Sequence, residues 1–70
     1  MNPETKKQLD FFISEKYKYK KMYFDKIAEI EKDGGALDKA TRLYLDDCNY
    51  YINFYDKEFI SLYKKTFNGD

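Results

Sequence analysis

The sequence predicts an all-α protein in which two long helices fold back on each other as an antiparallel hairpin. Two observations predict it: apolar residues recur at three- and four-residue spacings in both halves of the chain, and a pair of glycines separates the halves. We expect one domain over residues 1–70, with helices at about 3–32 and 37–67 and a turn at 33–36.

The first helix has distinct start and stop signals. Asn2 is a favourable N-cap, Pro3 suits the first helical position, and Glu4 places an acid in the first turn. Gly34 and Gly35 supply the left-handed conformation that ends a helix. The apolar residues between these signals that follow the helical period are Leu9, Phe12, Ile13, Tyr19, Tyr23, Phe24, Ile27 and Ile30.

The second helix is expected to start between Ala36 and Asp38, with Asp38 favourable in the first turn, and to end at Asn68-Gly69. Its apolar positions alternate four- and three-residue steps, as in a heptad seam. The seam consists of Thr41, Leu45, Cys48, Ile52, Tyr55, Phe59, Leu62 and Thr66.

A link of about three residues makes the helices antiparallel, so residues whose numbers add to roughly 69 should face each other. The expected contacts are Leu9 with Phe59 or Ile60, Phe12 and Ile13 with Tyr55 and Phe59, Phe24 with Leu45, and Lys20 with Cys48. Lys16 and Lys20 interrupt the apolar stripe of the first helix. We expect their stems to cover the core while their ammonium groups reach the region of Asp46, Asp47 and Asn49; a functional lysine is the alternative.

The composition bounds the function. A 70-residue chain buries a small core, and such folds usually need a disulfide, a metal or association. The lone Cys48 allows no internal disulfide, and the absence of histidine removes the usual metal ligands and general bases. We therefore expect no metal, no cofactor, no small-molecule substrate and no enzyme activity. Cys48 is expected to be a buried apolar residue, with a catalytic or dimer-linking thiol as the alternative.

The charge is balanced, with 13 basic and 13 acidic residues, and no apolar run is long enough for a signal peptide or membrane span. We expect a cytoplasmic protein that binds neither membrane nor nucleic acid. The nucleic-acid alternative depends on Lys16, Lys18, Lys20 and Lys21, which are interleaved with Tyr17 and Tyr19. Arg42 is the only arginine, a bias typical of AT-rich genomes and their phages.

A second apolar stripe, formed by Leu43, Tyr50 and Phe54, lies more than about a third of a turn from the seam of the second helix. One partner helix cannot bury both stripes, so we expect a further packing surface. Completion of a four-helix bundle by homodimerisation and binding of another protein are both open. The predicted partner-binding residues are Leu43, Asp47, Tyr50, Phe54, Lys57 and Tyr17.

The hairpin layout, with a glycine turn, an acid and then Leu45-Asp46-Asp47-Cys48-Asn49, resembles the small aspartyl-phosphate phosphatases of sporulating bacteria. The motif of that family is Ser-Gln-Glu-Leu-Asp, and its last aspartate is needed to dephosphorylate a response regulator. Leu45 and Asn49 stand here at the serine and aspartate positions. The resemblance covers about half the chain and implies a helical hairpin.

The sequence thus favours a small regulator or inhibitor, encoded by a phage or other mobile element, that occludes a surface of a partner protein. A phosphatase-like regulator and a structural assembly subunit are the alternatives.

Overall fold

A computed structural model describes residues 2–67 as two α-helices, α1 (Pro3–Lys32) and α2 (Lys39–Phe67), joined by a short turn. Contacts between the helices pair rising residue numbers in α1 with falling numbers in α2. Lys16 binds Asp56, for example, and the ring of Tyr19 stacks on that of Tyr51. The predicted antiparallel hairpin is therefore confirmed. It forms a rod with extents of 51 × 16 × 14 Å.

Side-chain and backbone caps fix both ends of α1. The side-chain Oδ1 of Asn2 accepts hydrogen bonds from the backbone N–H groups of Glu4 and Thr5, at 2.7 and 3.2 Å. At the other end, the Gly35 N–H donates to the Ile30 carbonyl at 2.8 Å, and Gly34 has a φ of 102°. This is the Schellman arrangement, which a glycine at the left-handed position makes possible.

The start of α2 is also set by a side chain. The Asp38 carboxylate accepts a hydrogen bond from the Thr41 N–H at 2.7 Å, so Asp38 is the N-cap and lies outside the first turn. The helix consequently begins at Lys39, two residues later than the predicted start at about 37. The predicted stop signal at Asn68-Gly69 lies outside the described residues.

The core lies along the line where the helices meet. Among residues 2–67, Leu9, Leu45 and Cys48 are the three that are buried, with 5, 8 and 3% of their surface exposed. The other seam residues of α2 are half-buried: Thr41, Ile52, Tyr55, Phe59, Leu62 and Thr66. The heptad-like spacing thus predicted the inward face of α2 correctly.

Phe24 departs from the predicted inward stripe of α1. It is 63% exposed and packs edge-on against Tyr23 of its own helix, with ring centroids 5.5 Å apart. Tyr23 and Ile27 are half-buried beside it. Met22 and Tyr23 take the half-buried positions at this level of α1, so the predicted place of Phe24 in the inward stripe, opposite Leu45, is wrong.

The predicted acidic partners of the interior lysines are also wrong. The Lys16 ammonium binds Asp56 at 2.7 Å, and that of Lys20 lies 5.6 Å from the ring centre of Tyr17. Side chains of a helix lean toward its N-terminus, so Lys16 reaches an acid farther along the antiparallel α2. Asp46 and Asp47 are exposed and make no ion pair within residues 2–67.

Candidate protein-interaction surface

The hairpin exposes more surface than a compact protein of its size. Its accessible area is 5588 Å². A compact monomer of 8.5 kDa exposes roughly 4,700 Å², which is about 900 Å² less. The radius of gyration, 15.8 Å, likewise exceeds the roughly 11 Å of a globular chain of this length. The excess comes from helix faces that the two-helix arrangement leaves without a partner.

Aromatic side chains form a connected network that runs from the line where the helices meet to one of these faces. Neighbouring ring centroids are 4.8–6.4 Å apart, within the range of favourable aromatic packing. The seven rings are Phe11, Phe12, Tyr19, Tyr50, Tyr51, Phe54 and Tyr55. Both helices contribute, so the folded hairpin holds these rings in place before any partner binds.

The outward edge of this network is the second stripe predicted on α2. Leu43, Tyr50 and Phe54 are 54, 63 and 43% exposed, and the two rings stack with centroids 6.4 Å apart. Tyr50 and Phe54 line a shallow concavity together with Asn53 and Lys57. We call the exposed line of Leu43, Asp47, Tyr50, Phe54, Lys57 and Ser61 the outer stripe.

Tyr17, the remaining predicted partner-binding residue, lies elsewhere. It is exposed on α1 and lines a different concavity, together with Asp56 and Ile60 of α2. The structure therefore brings five of the predicted residues onto the outer stripe and leaves Tyr17 on the other flank of the hairpin.

Sequence reasoning missed Tyr51, which belongs to the aromatic network, and Tyr44, which lies two turns before it on α2. Tyr51 stacks on Tyr19 across the helix pair at 4.8 Å, and the ammonium of Lys26 lies 5.4 Å from the ring centre of Tyr44. A signal was available, because the two tyrosines stand seven residues apart and each precedes a seam residue by one position. The pattern of apolar residues in α1 likewise did not include Phe11, which is more than half exposed and packs edge-on against Tyr55.

Charged side chains of residues 2–67 form ion pairs that remain in contact with solvent. Within residues 2–67 there is no group of three or more metal-ligating side chains. Burial, followed by the charge of Glu15, raises the pKa of the Tyr55 hydroxyl within the aromatic network. Burial, followed by the charge of Asp47, raises the pKa of the Cys48 thiol. A thiol with a raised pKa is a poor nucleophile, as expected of a core residue.

The lysine-rich segment of α1 is largely neutralised by its own helix and by α2. Lys16, Lys18 and Lys21 bind Asp56, Glu15 and Asp25, respectively. The Lys21–Asp25 hydrogen bond and charge pair raise the pKa of Lys21. The clustered free charge that attracts a phosphate backbone is therefore weak here.

The two positions aligned with the ends of the phosphatase motif differ in their exposure. Leu45, at the serine position, is buried in the hairpin core, whereas Asn49 is exposed.

Among the described residues, no helix has the length and apolarity needed to cross a membrane. Comparisons of the chain with protein-family models, with curated proteins and with solved structures give no significant match.

Proposed function

We propose that this chain is a small, non-enzymatic protein-interaction module that acts by covering a surface of its partner. The observation that carries the proposal is the aromatic network, which both helices hold in place and whose outer rings stay exposed, namely Phe11, Tyr50, Tyr51 and Phe54. Rigid tyrosine and phenylalanine rings provide large contact areas at little cost in side-chain entropy, and they are enriched at protein interfaces. The mechanism is occlusion, in which this preformed face excludes other molecules from the partner.

Self-association is the first interaction that we assign to the surface. Within residues 2–67 only Leu9, Leu45 and Cys48 are buried, and a second hairpin packed on the outer stripe would cover apolar surface that one hairpin leaves open. The area in excess of a compact monomer, about 900 Å², is close to the roughly 800 Å² that each partner buries in a standard interface.

Truncation of the outer stripe tests this proposal. Tyr50→Ala with Phe54→Ala removes two exposed rings and leaves the buried residues Leu9, Leu45 and Cys48 unchanged, so helicity by circular dichroism should be retained. We expect the dimer dissociation constant, measured by sedimentation equilibrium, to rise by more than about a hundredfold, since four rings are lost per dimer.

A matched control is available on the same helix. Tyr63 and Phe67 have the same residue types and spacing as Tyr50 and Phe54 and are 47 and 57% exposed, but they pack with Phe59 on the other flank of α2. Tyr63→Ala with Phe67→Ala should leave the dissociation constant within about threefold of the wild-type value. Equal effects of the two double variants would contradict the assignment of the interface to the outer stripe.

A further inference from the structure

The residue types of the outer stripe are arranged so that the stripe is complementary to a second, antiparallel copy of itself. Its six positions alternate four- and three-residue steps, and the pattern is symmetric about Ile52. Under that symmetry Asp47 corresponds to Lys57, and Tyr50 corresponds to Phe54. An acid thus mirrors a base, and one aromatic ring mirrors another. This is the property required of an isologous interface, where residue i meets residue j and residue j meets residue i.

We propose that the occupant of the outer stripe is a second copy of this chain, with the two α2 helices antiparallel and the two-fold axis at the level of Ile52. The proposal rests on the proposed function and specifies its partner and register. In this arrangement Asp47 of each copy pairs with Lys57 of the other, and Tyr50 of each packs on Phe54 of the other. Leu43 lies opposite Ser61 at both ends.

The charges select this register over its neighbours. A parallel arrangement would place Asp47 against Asp47 and Lys57 against Lys57. A shift of one heptad in either direction would place Asp47 against Tyr50, or Phe54 against Lys57. Only the register centred at Ile52 pairs both charges and both rings, and opposite charges flanking an apolar centre are the usual determinants of helix pairing.

The charged side chains are available for these contacts. Asp47 and Lys57 are exposed, and neither has an ion-pair partner within the part of the chain that the structure describes. By contrast, most lysines of α1 bind an acid of their own chain, as Lys16, Lys21 and Lys26 do. In the proposed dimer, the second copy supplies the ion-pair partners of Asp47 and Lys57, which lie on either side of the stacked rings.

Charge reversal tests the register. Asp47→Lys alone places four lysines around the two-fold axis, and Lys57→Asp alone places four aspartates there. Each single variant should raise the dimer dissociation constant about tenfold, because two attractions become two repulsions. The double variant should return to within about threefold of wild type, since both pairs are restored with reversed polarity. An equimolar mixture of the two single variants should form a heterodimer more readily than either forms a homodimer.

Zero-length carbodiimide cross-linking provides a second readout that does not depend on affinity. Asp47 and Lys57 are about 15 Å apart along one helix, so a direct amide bond between them can form only between two copies. We expect mass spectrometry of an isotope-mixed dimer to find the 47–57 cross-link between a light and a heavy chain.

The outcomes separate the register from the proposed function. A dimer that is lost with Tyr50→Ala and Phe54→Ala, but is unchanged by both single charge reversals and gives no 47–57 cross-link, overturns the register and leaves the proposed function standing. A wild-type chain that is monomeric at every concentration overturns the register and the proposed self-association together. Weakening by both single variants with restoration by the double variant supports the register.

Discussion

Cys48 lies at the middle of the hairpin core and is the most buried of the three core residues. Its position on the seam, between Leu45 and Ile52, accounts for its burial, and burial disfavours the thiolate form. The residue therefore acts as a small apolar side chain, and the packing of the seam controls its chemistry.

We expect the native thiol to react with a disulfide reagent at least about tenfold more slowly than the thiol of the urea-unfolded chain, because both accessibility and thiolate population are reduced. The measurement is the pseudo-first-order rate of thiol modification at pH 8, in buffer and in urea. Equal rates in the two conditions would mean that the helices do not pack along this seam.

Individual residues also show which features of the fold could be predicted from the sequence and which could not. The period of α2 identified every half-buried position of its seam, because a single run of spacings fixes one face of a helix. The partner of Lys16 was not predictable in the same way, since a long side chain can reach acids over more than one turn and its choice depends on side-chain direction. Phe24 was misplaced because an apolar residue type does not by itself establish an inward position.

At the scale of the elements, short polar segments determine where the helices end. Gly34 has a φ of 102° and Gly35 a φ of 82°, and a Cβ atom added at either position would meet no atom within 4 Å. The cost of an L-residue there would thus be conformational and not steric. The sequence made this end predictable, since the glycine pair begins four positions after Ile30, the last periodic residue.

Gly34→Ala should lower the free energy of unfolding by about 1 kcal/mol, because an L-residue is strained at positive φ. The matched control is D-alanine at the same position, introduced by chemical ligation, which favours positive φ and should be neutral or stabilising. Urea unfolding of the three proteins measures the difference. Equal destabilisation by both alanines would contradict the conformational explanation.

The cap of α2 predicts a dependence of stability on pH. The hydrogen bond from the Thr41 backbone N–H, followed by that from its side chain, lowers the pKa of Asp38. A carboxyl with a lowered folded-state pKa stabilises the fold above its unfolded pKa of about 3.9, and this contribution is lost as the pH falls through the folded-state value.

Asp38→Ala should consequently lower the melting temperature at pH 7, and the difference from wild type should shrink as the pH falls below about 4. Thermal unfolding followed by circular dichroism across this range measures both curves. A difference that stays constant from pH 7 to pH 2 would show that the ionised cap is not its source. The exact start of α2 could not be read from the sequence because Ala36, Leu37 and Asp38 were all compatible with a helix beginning there.

At the scale of the whole molecule, the main feature of the hairpin is the small amount of apolar surface that it buries. Two helices of this length meet along one line, so most of the aromatic side chains lie on faces that the fold leaves open. Sequence spacing located the outer stripe, because a second apolar period on one helix is visible without a structure. The contribution of α1 to the aromatic network was less accessible, since it depends on which flanks of the two helices come together.

The most direct test of the account is the solution mass of the purified chain, measured by multi-angle light scattering over a dilution series. We predict a mass of twice 8.5 kDa at high concentration, falling toward 8.5 kDa on dilution while the helical signal persists. A mass of 8.5 kDa at every concentration, with the helices intact, would contradict the claim that the outer stripe binds a second copy.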